Sequence, residues 1–167
     1  MLFRSLHDID IRSADFFLWE NGTEIHCYHT VSPTDGLYAE ELWARVRRAV
    51  SYALRGKLSL DYRIQEKRSS PLAPRRPDLG VLPEAVIDNA SSDYYSLVEI
   101  QAADRIGLLY DIALCLETLG LQVHMAKICT DGHTVIDVFS VREAGGEKVA
   151  GPERLEEISQ ALRACLG

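Results

Sequence analysis

The sequence predicts an α+β fold in two copies, each an antiparallel sheet with two helices on one face, the first copy lacking its opening strand. Three observations carry this. Residues 84–167 read as strand, helix, strand, strand, helix. Residues 1–66 repeat the hairpin and following helix of that series in the same order. Between them lies KRSSPLAPRRPDLGVLP (67–83), whose four prolines exclude a regular helix or an inner strand, so it reads as a linker.

In the second copy, YSLVEIQA (95–102) is apolar on both faces near its centre, as an inner strand is. Leu108, Ile112, Cys115, Leu116 and Leu119 then follow helical spacing, and Gly120 stops that helix. LQVHMAKICT (121–130) is the next strand. Asp131-Gly132 signals a hairpin turn, and the β-branched run TVIDVFSV (134–141) returns. Gly145-Gly146 breaks that strand. Pro152 and the acidic Glu153, Glu156 and Glu157 suit a helix N-terminus, and Leu155, Ile158, Leu162 and Leu166 form its buried stripe. EAVID (84–88) is short enough to add an edge strand.

In the first copy, IDIRSADFFL (9–18) and TEIHCYHTV (23–31) form strands about an Asn21-Gly22 turn. Leu42, Val46, Val50 and Leu54 mark a helix over 38–55, stopped by Gly56, and LSLDYRI (58–64) alternates as a strand does. IDIRSADFF aligns with LQVHMAKIC, and TEIHCYHTV with TVIDVFSV, which reads as an internal repeat. Met1–Leu6 reads as the end of a first helix. The resulting order is the split βαβ, or ferredoxin-like, arrangement (βαββαβ). A copy without its central opening strand exposes unpaired backbone. The chain therefore reads as a fragment, a trimmed gene, or a subunit completed by another copy. The expected divisions are 1–66 (partial unit), 67–83 (linker) and 84–167 (second unit).

Composition narrows the function classes. A net charge of −7 over 167 residues argues against a nucleic-acid partner. No apolar stretch reaches membrane-spanning length and no secretory signal opens the chain, which points to a cytoplasmic protein with no membrane partner. Cys27, Cys115, Cys129 and Cys165 sit in apolar patterns without a CxxC pair and read as reduced packing residues. Met125, Phe16, Phe17, Tyr28 and Phe139 read as core or sheet packing. His26 and His29, three apart on a strand, point to opposite faces and make a poor metal pair. No phosphate loop, G-x-S-x-G elbow or HExxH helix is present, so neither catalytic residues nor a cofactor is expected.

Several short pieces then appear in order. They are Val86-Ile87-Asp88-Asn89, Glu99, Asp104-Arg105-x-Gly107-Leu108-Leu109, Ala126-Lys127-Ile128 and Asp137-Val138-Phe139. Together they resemble the ACT domain, a small regulatory amino-acid-binding module. More narrowly they are similar to the C-terminal tandem ACT region of the PII uridylyltransferase/uridylyl-removing enzymes. Ile106 stands where that family usually has proline, and the first repeat has no DRxG segment. The resemblance implies ACT units in tandem, pairing between them or a homo-oligomer, and glutamine as the sensed amino acid. It also implies control of an attached or partner enzyme of nitrogen metabolism.

The strand-to-helix turn at 102–112 gives this reading its physical content. Gly107 has no side chain, so a ligand can approach the free N–H groups of the helix that follows, which attract an α-carboxylate. Asp104 is placed to cap that helix or to meet an α-ammonium group. Arg105 reads as exposed rather than as a clamp. The candidate site is Asp104, Arg105, Ile106, Gly107, Leu108 and Leu109, with Val123, His124, Ala126 and Lys127 as the opposite wall. Asp137 reads either as a motif carboxylate bonded to a backbone turn or a partner chain, or as an exposed strand residue. The competing function is a structural pairing module that holds no ligand.

Overall fold

The computed structural model describes residues 9, 11–19, 21–31, 36–71, 80–131 and 133–167. Met1–Leu6, Gly132 and most of the proline-rich linker lie outside these. Six strands form one antiparallel sheet: β1 (Ile11–Leu18), β2 (Glu24–Thr30), β3 (Glu84–Asp88), β4 (Ser96–Ala103), β5 (Gln122–Asp131) and β6 (Thr134–Arg142). Their spatial order is β2-β1-β5-β6-β4-β3. The helices are α1 (Gly36–Leu54), α2 (Leu60–Arg68), α3 (Leu108–Thr118) and α4 (Pro152–Leu166).

The second copy has the split βαβ layout. Strand β4 is central, flanked by β6 and by β3, the EAVID segment, which takes the edge beyond it. Alternation assigns the faces. Val98, Ile100 and Ala102 of β4, Ala126 and Ile128 of β5, and Val135, Phe139 and Val141 of β6 are buried. They pack with Leu108, Ile112 and Leu116 of α3 and Ile158, Leu162 and Leu166 of α4. The family-like Asn89 is a structural clasp. Its Nδ2 donates to the Val149 carbonyl (2.9 Å), and its Oδ1 accepts from the Ser96 hydroxyl (2.6 Å). That hydroxyl in turn accepts from Val149 N (2.9 Å). Asp137 is fully buried on the helix side, and its Oδ1 accepts from Cys129 N, so it is not an exposed strand residue.

The internal repeat is visible in the hydrogen-bond registers. Phe16↔His26, Ala14↔Tyr28 and Phe17↔Ile25 in β1–β2 correspond to Ile128↔Asp137, Ala126↔Phe139 and Cys129↔Ile136 in β5–β6. These are the partners the sequence alignment equates. The two hairpins then pair through β1 and β5, with Asp15 opposite Lys127, the residues the alignment sets level. Ser13↔Cys129 and Phe17↔Met125 exchange under the repeat, so the junction is a pseudo-two-fold contact between equivalent strands. This pairing covers the inner edge of β1. The outer edge of β2 has no strand partner among the described residues.

The structure corrects several expectations. LSLDYRI is not a strand: Leu60–Arg68 is α2, capped by Ser59, whose hydroxyl accepts from Tyr62 N (3.4 Å). Asp61 in its first turn and Lys67 and Arg68 in its last complement the helix dipole, so a short alternating run yields to capping. Helix therefore continues into the first two residues of the expected linker. Leu54 is exposed, outside the α1 stripe. Cys27 and Cys129 are exposed on the sheet face away from the core, as are Phe17 and Met125, while Phe16, Tyr28 and Phe139 are core or packed on it.

Candidate functional site

The turn after β4 is built around Gly107. Asp104 N donates to the His133 carbonyl (2.8 Å), and the Asp104 side chain is buried. Gly107 adopts φ 76°, ψ 3°, a left-handed conformation that favours glycine, and it is the N-cap of α3 with no side-chain cap. The N-cap position is thus Gly107, three residues after Asp104.

Helix α2 lies on this corner. Its one buried residue, Ile64, and the guanidinium of Arg68 are so close that a Cβ built on Gly107 would fall 2.6 Å from Ile64 Cγ2 and 2.6 Å from Arg68 Nη2. Arg68 Nε donates to the Ile106 carbonyl (3.0 Å), and its Nη2 to Asp111 (2.6 Å). Arg105 is not solvated as expected: its Nη1 also donates to Asp111, and its Nη2 donates to the Cys165 carbonyl (2.8 Å). The corner is therefore filled by the chain's own atoms. Leu108 is core and Leu109 packs on it.

Residues 123–127 do not form the opposite wall of this corner. Strand β5 begins at the other end of α3, about 16 Å from the corner at 1.5 Å per residue. Lys127 faces the side of the sheet away from the core, between Asp15 and Val138. Val123, His124 and Ala126 instead line a cavity of about 530 Å³ at the junction of the repeats. Phe16, Glu24 and His26 enter it from the first copy, and Leu116, Glu117, Leu121 and Phe139 from the second.

The polar groups of this cavity are few. His124 sits where the β5–β6 register shifts, between Val123 and Met125. Its Nε2 is buried without a hydrogen-bond partner, and its ring lies 5.3 Å from that of Tyr95, over which Arg142 stacks at 4.5 Å. Burial, then the Arg142 charge, pushes its pKa below the usual histidine value, so it is held neutral. His26 Nε2 meets Glu24 at 3.1 Å, and its ring stands edge-on to Phe16 at 4.8 Å. An apolar chamber with a neutral imidazole and carboxylates near its rim suits a small polar organic molecule. Phe16, His26, Leu116 and Phe139 carry no ligand-binding pattern of their own in the sequence. Their signal was the repeat, which predicts that hairpins pair but not that a cavity opens beside the pairing. Among the described residues no group of His, Cys, Asp and Glu could hold a metal ion, and no helix is long and apolar enough to cross a membrane.

The ACR9-like, ACT-like domain model matches residues 84–167, the segment holding β3–β6, α3 and α4. The chain belongs to the ACT-like domain family. This ACT-like chain is also similar to proteins named bifunctional uridylyltransferase/uridylyl-removing enzyme. It is 32% identical to that of Gluconobacter oxydans over 83% of the chain, and 33% identical to that of Azospirillum brasilense over 92%. The Rhodospirillum rubrum protein of that name is 30% identical over 97% of the chain. These matches span only 16–17% of the relatives' own lengths. No solved structure matches the ACT-like chain.

Proposed function

We propose that this chain is a regulatory amino-acid-sensing module, with glutamine as its ligand, controlling an attached or partner enzyme of the uridylyltransferase type. In this reading residues 1–66 and 84–167 are two ACT-like units joined by 67–83, acting in the cytoplasm. The observation that carries the proposal is the cavity between the paired hairpins, lined from both repeats, in which Val123, His124 and Ala126 converge. A ligand there touches both units at once and so can bias directly how they pair. The carboxylates of Glu24 and Glu117 suit an α-ammonium group, and the neutral His124 can hydrogen-bond a side-chain amide. The Asp104–Leu109 corner is then part of the scaffold that orients α3, with Arg68 in the place a ligand would take.

Calorimetric titration of the chain with L-glutamine tests this. Saturable heat is expected, lost in Val123→Phe, which fills the chamber, with the circular dichroism spectrum retained. Heat unchanged in Val123→Phe but abolished by a change at the Gly107 corner would move the ligand to that corner. Silence with every common amino acid would leave the alternative, a pairing module without a ligand, which the continuous β1–β5 ladder also supports.

A further inference from the structure

Helices α1 and α2 form a helical hairpin that does not close. In an ordinary αα-hairpin the helices turn their apolar faces to each other. Here they turn them elsewhere. Leu42 and Val46 of α1 are buried in the sheet core, and Trp43 and Val50 pack against it. Ile64 of α2 goes to the Gly107 corner of α3. The inner faces are left polar and cationic. Arg45, Arg48, Ala49 and Tyr52 recur at i, i+3, i+4 and i+7 on α1, and Arg63, Glu66 and Lys67 at i, i+3 and i+4 on α2, with Ser70 just beyond its end. With Leu58 they line a cleft of about 670 Å³.

Four cations and one carboxylate face this cleft in a chain whose net charge is −7. Glu66 is taken by Arg63 at 3.1 Å, and Arg45 lies 5.7 Å from the Tyr38 ring. Like charges three residues apart on a helix, and facing one another across a gap, repel, so the positive potential of the cleft favours an anion. Arginine forks match phosphate oxygens, and Tyr52, half exposed, offers a ring face at the rim. The cleft volume lies in the range of small-molecule sites.

We propose that the α1–α2 cleft binds a phosphate-bearing small anion, either a free polyphosphate or the phosphate chain of a nucleotide stacked on Tyr52. The site is separate from the junction cavity and does not depend on amino-acid sensing. The test is equilibrium binding to the chain of sodium triphosphate, ATP and adenosine, at low and at physiological salt. Triphosphate and ATP binding alike points to free polyphosphate. Tighter ATP binding that returns to the triphosphate level in Tyr52→Ala points to a nucleotide. Adenosine binds in neither case. Both results uphold the site if affinity falls steeply with salt and drops at least about tenfold in Arg45→Gln/Arg48→Gln. Those two residues are exposed, so the fold is retained, and a thermal melt of the variant checks it. No binding of triphosphate or ATP at about 1 mM in low salt, or affinity unchanged in the double variant, overturns the proposal.

Discussion

Replacing Gly107 by alanine is the sharpest test of how the corner beside α3 is held. Three terms oppose the new methyl group. The backbone at φ 76° costs an L-residue about 1–2 kcal/mol. The Cβ, 2.6 Å from both Ile64 Cγ2 and Arg68 Nη2, lifts α2 away. Withdrawing Ile64, 2% exposed, forfeits about 1.5–3 kcal/mol of apolar burial. The bonds of Arg68 to Ile106 and Asp111, with 27% of that side chain exposed, add about 1 kcal/mol after solvent screening. Gly107→Ala is therefore expected to cost about 3.5–6 kcal/mol in urea unfolding, against about 1–2 kcal/mol in an Ile64→Ala/Arg68→Ala background, where the obstructing atoms are gone. A double-mutant cycle followed by far-UV circular dichroism reads both numbers. Equal costs in the two backgrounds would refute the argument, since the penalty would then be backbone strain alone and α2 would not be docked on the glycine.

Two further outcomes follow from the packing. Asn89→Ala removes the clasp between the β3 end and the Val149 loop and leaves the fully buried Ser96 hydroxyl without that acceptor, so a loss of about 2 kcal/mol is expected. A melting temperature within a degree of the parent would contradict it. His124 is harder to protonate in the fold than in the unfolded chain, because of burial and then Arg142. The unfolded state thus binds more protons as pH falls through about 6.5. The stability this neutral imidazole contributes is complete above that pH and lost below it. His124→Phe is expected to flatten the stability profile between pH 7 and 5, and a slope equal to the parent's would place the titration elsewhere.

Elements whose signals are local are legible from the residues alone. The apolar spacing of Leu108, Ile112 and Leu116, the Pro152 helix start and the alternation of the two hairpins are physical constraints within one element, and the structure repeats them. The repeat was equally legible, because equivalent residues must meet equivalent partners. The pairs Phe16↔His26 and Ile128↔Asp137 follow from the alignment once each hairpin closes. Residues 58–64 misled because seven alternating residues satisfy a strand as well as a short helix, and what separates them is the Ser59 cap and the place Ile64 finds on α3. The candidate site was half legible for the same reason. Gly107 announces a special turn, but whether a turn is vacant depends on what lands on it from 40 residues away in the chain. Only tertiary structure could bring Arg68 to Ile106 and Asp111, carry Val123 and His124 to the opposite end of α3, and open a chamber between hairpins joined through β1 and β5. Local propensity is set by neighbours in sequence, whereas occupancy of space is set by whichever surfaces gain most by leaving water together.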